Sequence, residues 1–484
     1  MKNKLIGFSL FILVFIVAIY ASNYSNEKTN KRVHQHLEDS KRVDNCNHQG
    51  EEFCTHLPLV VIDTQEKEVP GEVYFEGEER KYTLTEDGEK MLLSSMKVID
   101  NGERNNHLQD KPAIEESILI RLRGNSSRHF DKKSYLIRFV EEEKYKNLSV
   151  MGMDPHYEWA IYGPYLDKSL IRNYMWYNIA GEIMDYAPNV RFCEVILNDE
   201  YIGLYVMVET ITSGSNARLR LTEPNENTNK TGYILRLDRG SEEVLKNITT
   251  FTNYSLRNVR NFNIEYPRLG SLNEDVITSI EMEFSDFEKA LYSYDYNSRR
   301  NGYRKYIDVN SFIDYFIINE FTTNYDALSY STYIYKDIGG KYKLAVWDFN
   351  SSFNNYQDDV LDPKVFMLQN KVWYFMLIKD EYFCDRLIKR YRELRKGVLS
   401  DEYLNNYIDS VIDYLGEAID RNFEVWGYSF EYDLVNEVER NPKNYEEAVL
   451  FIKEYMAIRS SWMDEHIEVL RQYSHESKIK KFNH

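Results

Sequence analysis

Two stretches of this chain bring together residue types suited to gripping a triphosphate. The first runs Arg121-Leu122-Arg123-Gly124-Asn125-Ser126-Ser127-Arg128 and continues, after a short gap, as Lys132-Lys133-Ser134-Tyr135-Leu136-Ile137-Arg138-Phe139. A Gly-Asn-Ser-Ser turn presents backbone N–H groups and two hydroxyls, with Arg121, Arg123, Arg128, Lys132 and Lys133 around it. Such a nest of donors can cradle phosphate oxygens. A lysine opening the returning strand can reach the α- and β-phosphates. The same residues also read as a basic hairpin with an ordinary turn. The second stretch holds Asn324-Tyr325-Asp326, then Ser331-Thr332-Tyr333-Ile334-Tyr335, then Val346-Trp347-Asp348-Phe349-Asn350. Two carboxylates flanking a hairpin can divide the work of phosphoryl transfer. One accepts or orients the proton of an acceptor hydroxyl, and the other holds Mg2+ or Mn2+ on the phosphates. Taken singly, each aspartate is also what a cap or a turn uses; the pair with the basic loop upstream is more specific.

These residues must be positioned by elements the pattern already suggests. LPLVVIDT, GEVYF and ERKYTLT read as strands. ILIRLRG and SYLIRF alternate apolar and charged residues, which predicts an antiparallel hairpin around the basic turn. Asp167–Met184 has helical spacing with Asp167 as N-cap. RFCEVILNDEYIGLYVMVETI predicts two strands about an Asn-Asp-Glu turn, and GYILRLD a further strand. Residues 238–272 read as irregular. Helices are expected over Val276–Tyr294 and Val309–Thr323, then a hairpin turning at Gly339-Gly340, then mostly helices from Lys371 to Tyr473. Strands first and helices second, with no internal repeat, make an α+β, two-lobed enzyme the natural class.

Composition bounds the rest. The 484 residues carry 60 Lys+Arg against 78 Asp+Glu, a net charge of −18, which argues against a general nucleic-acid binder. Hydrophobic residues at 43% and aromatics at 14% exclude wholesale disorder. The Tyr-rich stripes around Tyr315, Tyr325, Tyr330, Tyr333 and Tyr335 read as packing. No CxxC, HxxxH or HExxH pattern exists, so neither a zinc framework nor a histidine metal site is expected. Cys46 and Cys54 lie close enough in sequence to pair, whereas Cys193 and Cys384 sit in apolar contexts as buried thiols. Leu5–Ala21 runs without a charge behind Lys2 and Lys4. At 1.5 Å per residue it spans roughly 25 Å, close to a bilayer core. Residues 1–24 therefore read as a single-pass signal-anchor with a cytoplasmic N-terminus and an exported remainder. A cleaved signal or a buried helix are the alternatives. Residues 25–55 read as a polar stalk, 56–475 as the main domain and 476–484 as a tail.

In order along the chain, RLRGNSSRHFDKKSYLIRF, DKSLIRN, LNDEYIGLYVMVETI, GYILRLD and NYDALSYSTYIYKDIGGKYKLAVWDFNSSF resemble the successive signatures of the spore-coat CotH kinase family, across residues 57–355. The resemblance implies a protein-kinase-like bilobal fold, strand-rich in an N-lobe over 56–235 and helix-rich in a C-lobe over 236–475. It also implies ATP with Mg2+ or Mn2+ and transfer to Ser or Thr of a Ser-rich coat or envelope protein. Carried over by position, Arg123, Gly124, Asn125, Ser126 and Lys133 fall at the nucleotide-binding loop and strand. Asp326 falls at the catalytic aspartate and Asp348 at the metal-binding one, assisted by Asn350 or Ser331. Glu209, on the GLYVMVE strand, falls near the nucleotide or serves as a structural partner of Arg172.

Three positions depart from the family pattern. Asn350 and Ser331 stand where many members have Asp and Asn, and Arg236 where an acidic residue is common. A site with one fewer negative charge is expected to bind metal more weakly, prefer another metal or lose catalysis. Two other readings therefore stand beside a kinase: a non-catalytic envelope assembly or adhesion protein on the same scaffold, or an ATP-using transferase of another type, such as adenylylation or glutamylation.

Overall fold

Alternation of apolar and polar side chains makes the N-terminal strands, and their pairing decides the architecture. The computed structural model describes residues 32–38, 53–102, 104–214, 217–225, 228–239, 245 and 260–475. The Leu5–Ala21 span, Cys46 and the 476–484 tail lie outside them. Among the described residues no helix is long and apolar enough to cross a membrane.

Seven strands of one sheet build the barrel, β1 (Leu59–Asp63), β2 (Leu92–Ile99), β3 (Ile114–Arg123), β4 (Ser134–Glu141), β5 (Glu158–Tyr162), β6 (Val190–Leu197) and β7 (Glu200–Glu209), and a two-residue strand, Lys144–Tyr145, pairs with the end of β4. Their order is β5-β7-β6-β1-β2-β3-β4, and β4 pairs back onto β5, so the sheet closes into a barrel. All pairs are antiparallel except β1 with β6. The expected bilobal protein-kinase fold is thus corrected to a closed seven-stranded barrel with a helical C-terminal part. The reason is the short strand β5, which bonds β4 on one edge and β7 on the other and leaves no open edge. Val60, Met96, Ile120, Phe139, Trp159 and Met207 belong to one buried cluster, while alternate positions on β3 and β4 put Arg121, Arg123 and Arg138 on the other face.

All three expected hairpins form, two of them in the barrel. The Asn198-Asp199 turn has two left-handed residues, as a tight β6–β7 connection requires. Helix α1 (Arg172–Ile183) begins five residues later than its predicted cap. The preceding segment instead turns around the Asp167 carboxylate, which accepts from the N–H groups of Ser169 and Arg172.

A second, four-stranded sheet follows, built from β8 (Tyr233–Arg239), β9 (Arg260–Tyr266), β10 (Thr332–Lys336) and β11 (Lys343–Ala345), in the order β9-β8-β10-β11. Strand β9 corrects the irregular reading of 238–272. Its alternation is short and lies inside an Asn- and Arg-rich stretch, and Phe262 and Ile264 enter the core. Helices α2 (Glu274–Leu291) and α3 (Val309–Phe321) start at Asn273 and Asp308, whose side chains accept from the first-turn N–H groups. Helices α4 (Glu381–Leu394), α5 (Asp401–Leu415), α6 (Glu417–Trp426) and α7 (Tyr445–His466) complete the expected helical part. α1, the second sheet and these helices share one large apolar core. Cys193 and Cys384 are buried thiols, as expected.

One buried ion pair fastens α7 to the end of α3. Glu320 and Arg459 are both fully buried. The Glu320 carboxylate also takes the N–H groups of Met367 and Leu368, and Arg459 donates to the carbonyls of Pro363 and Val365. Removing one partner leaves an uncompensated charge in the core. Arg459→Leu is expected to lower stability by about 3–5 kcal/mol, read as a fall in the urea midpoint at unchanged m-value.

Candidate active site

Two turns carry the aspartates, and side chains from α1 hold one of them in place. After α3 the chain enters a left-handed residue at Thr323. Asn324 then donates to Asn319 Oδ1 and to the carbonyl of Asp348, 3.0 Å each, which ties the two aspartate-bearing turns together. The Asp326 carbonyl accepts from Ser329 and Tyr330, closing a turn that delivers Asp326 to the cleft. The Asp348 N–H donates to the Tyr177 hydroxyl at 2.9 Å, and the Phe349 N–H to Asn173 Oδ1 at 2.7 Å. Arg172 donates to the carbonyl of Ser352 and pairs with buried Asp167. The DKSLIRN motif therefore serves as a buckle for the loop after β11.

This stretch is backbone-strained. Thr323, Leu328, Ser331, Asp348, Phe353 and Asn354 all have positive φ between 46° and 62°. Each costs about 1–3 kcal/mol unless its surroundings impose it.

The electrostatics converge on Asp348. Burial pushes its carboxyl up to about 7, Asp326 and Asp238 push the same way, and Arg123 and the Asn350 N–H pull it back. Asp326 is also raised by burial, opposed first by Arg239 and Lys371. The Arg123 guanidinium lies 4.7 Å from the centre of the Trp347 ring, beside Asp348. Gly124 (φ 108°) admits no side chain, because a Cβ there would stand 1.8 Å from Ser127 Oγ. Asn125 is gripped by Arg80 through its side chain and carbonyl, and Ser126 is exposed at the start of a single 3-10 turn.

Asp326, Asp348, Asn350 and Arg123 thus come together. Carrying the β10–β11 register two residues past Tyr333–Ala345 sets Ser331 opposite Trp347, the chain neighbour of Asp348. The polar contacts of Lys133 and Glu209 lie elsewhere. Lys133 donates to the carbonyl of Arg128 and stands 3.3 Å from Glu72. Glu209 is buried against Arg218 at 2.7 Å and the Asn189 N–H at 2.9 Å, while Arg172 takes Asp167 instead. Lys132 is buried, donating to Leu204 and Asn422.

Sequence reasoning passed over Asp238. It is the penultimate residue of β8, one position beyond the last β8–β10 pair, Leu237–Thr332, and it raises both Asp326 and Asp348. The signal was present in the final residue of GYILRLD. Arg236 on the same strand is neutralised by Glu265 at 2.8 Å, with Asp238 at 3.6 Å.

The donor set suits a hard divalent cation shared with phosphates. Among the described residues no three acidic, His or Cys side chains form a metal cage. Mg2+ on a nucleotide, however, takes one or two carboxylates and completes its shell with phosphate and water. Asn350 Oδ1, buried and without a hydrogen-bond partner, is a free neutral oxygen two residues from Asp348. ATP phosphates would find Arg123 and the N–H groups of the Gly124–Ser127 turn.

A family model described as CotH kinase protein matches residues 120–463, which include the basic turn, both aspartates and most of the helical part. Inner spore coat protein H of Bacillus subtilis (strain 168) is 22% identical over 320 residues, covering 60% of this chain and 80% of that protein.

The raised Asp348 carboxyl has a stability consequence. Its folded value of about 7 exceeds the ordinary 3.8, so folding disfavours the ionised form. The penalty is absent below 3.8, grows between the two values and is complete above 7. Asp348 is only half-buried, so solvent screens part of it. Asp348→Asn is therefore expected to stabilise the ligand-free protein at pH 8 by about 1–3 kcal/mol, with the gain vanishing near pH 4 in urea titrations.

Proposed function

The chain belongs to the CotH kinase family, and on that premise we propose that it transfers the γ-phosphoryl group of ATP to a Ser or Thr hydroxyl of a spore-envelope protein. The observation that carries this reading is the proximity of Asp326 and Asp348 to one another, with an Arg123 guanidinium beside Asp348. Asp326 would orient an acceptor hydroxyl and take its proton. Asp348, with the free Asn350 oxygen and Ser331, would hold Mg2+ or Mn2+, which when bound neutralises phosphate charge. Arg123 and the Gly124–Ser127 backbone would receive phosphate oxygens. Asp238 adds negative charge that offsets the neutral Asn350 and favours a cation. The catalytic power asked of these residues is positioning and charge neutralisation, as phosphoryl transfer requires.

The coat location named for the Bacillus subtilis relative supports an envelope setting and a coat or envelope protein as acceptor. Membrane attachment through Leu5–Ala21 would place the enzyme at that envelope.

The test uses the full chain, a Ser-rich acceptor and γ-labelled ATP with Mg2+ or Mn2+. Label is expected on the acceptor. Asp326→Asn and Asp348→Asn are expected to lower transfer by on the order of 10²-fold or more. Label from α-labelled ATP would instead mean nucleotidyl transfer, and full transfer by Asp348→Asn would overturn the metal assignment. ATP with metal should also raise the melting temperature by mass action.

A further inference from the structure

A short segment ahead of the barrel is seated in the body by polar side chains. Val33–Glu38, with one helical turn at Gln35–Glu38, lies against α1, α5 and β6. Three adjacent polar residues, His34, Gln35 and His36, are all buried. The Gln35 amide acts as a missing strand: its Oε1 accepts the Phe192 N–H at 2.7 Å and its Nε2 donates to the Phe192 carbonyl at 3.1 Å. Phe192 has this edge open because β1 begins its pairing with β6 only at Leu59–Glu194. His36 sits edge-on to the Tyr407 ring, with its Nδ1 3.0 Å from the Tyr174 hydroxyl. Its Nε2 is buried with no hydrogen-bond partner.

We propose that Val33–Glu38 is an acid-released strap: neutral His36 seats it on α1, α5 and β6, and protonation of His36 ejects it.

The surroundings give an imidazolium no counter-ion. From α1, His36 meets Tyr174; from α5, Tyr407; from its own segment, His34, whose ring centre is 5.8 Å away. Glu182 of α1 is engaged by His34 at 2.6 Å and by the Tyr403 hydroxyl of α5 at 2.6 Å. On β6 the charged neighbour is Arg191, which donates to the Val33 carbonyl and has Glu38 and Asp100 in its own field. Among the described residues no carboxylate stands within ion-pair reach of His36. Burial and His34 accordingly push His36 down to about 3.

The sign follows. The seated value lies below the ordinary 6.5, so the contribution is complete above pH 6.5 and shrinks as pH falls, about tenfold in the seating equilibrium per unit. Seating is therefore expected to weaken by about tenfold to thirtyfold between pH 7.5 and 5.0. Release removes the His36 contact from Tyr174, on the same helix whose Arg172, Asn173 and Tyr177 hold the Asp348 loop. The strap stands whether or not the cleft is a kinase site.

Hydrogen exchange on the full chain at pH 7.5 and 5.0, corrected for intrinsic rates, tests this. The amides of His36 and Phe192 are expected to lose tenfold to thirtyfold protection while those of β7 and α5 keep theirs. His36→Gln and His36→Phe, neither of which can take up charge, should remove the pH dependence. His34→Gln should preserve it. Protection that is equal at the two pH values, or that falls equally in both His36 variants, overturns the proposal. So does an unprotected segment at pH 7.5 in the unmodified chain.

Discussion

The loop after β11 has no sheet or helix of its own, and everything proposed for the cleft depends on how its backbone is satisfied. The N–H groups of Asp348 and Phe349 are held by a hydroxyl and an amide from α1, and the carbonyls of Asp348 and Ser352 by Asn324 and Arg172. Left unmade, each of these buried groups would cost about 1–3 kcal/mol. This grip keeps Asp348, Phe353 and Asn354 in left-handed conformations that none would choose alone. The buried Asp167–Arg172 pair at the head of α1 aims the grip, so the site is anchored by a motif remote from it in sequence.

Electrostatics makes the cleft costly as well as strained. In a chain of net charge −18, Asp326 and Asp238 raise the proton affinity of Asp348, and Asp238 that of Asp326, while Arg123, Arg239 and Lys371 oppose them. Desolvation, the largest cause at both Asp326 and Asp348, is a penalty that a cation would lift. On the kinase reading, the interactions missing from the cleft are those a divalent ion and phosphate oxygens supply, and the free Asn350 oxygen is one of them. Arg236 is set against Glu265, which keeps that guanidinium neutralised within β8 and β9.

Local patterns were legible where the chemistry is local. The hairpins around the Gly124–Ser127 turn, Asn198-Asp199 and Gly339-Gly340 follow from period-two alternation broken by residues that tolerate left-handed backbone. The amphipathic C-terminal helices were equally readable. Strand β9 was hidden because its apolar residues, Phe262, Ile264 and Tyr266, form only a short alternation inside an Asn- and Arg-rich stretch. Asp238 was hidden because a single acid at a strand end looks the same whether it faces solvent or two other carboxylates. Lys133 and Glu209 illustrate the converse: residue type suggested a phosphate contact, and packing gave them to the Arg128 carbonyl and to Arg218.

By itself the sequence determined the family, the order of strands and helices, and the two aspartates with their basic turn, because each is written in residues near one another or in a fixed order. Tertiary structure alone decided that seven of the strands close into a barrel rather than forming a kinase-like lobe. Closure depends on β5 pairing with both β4 and β7, a long-range event that no periodicity encodes. It also decided which charges share the cleft. Coulombic and desolvation effects act through space, and Arg123, Asp238, Asp326 and Asp348 become neighbours only when the barrel, the second sheet and α1 are packed together.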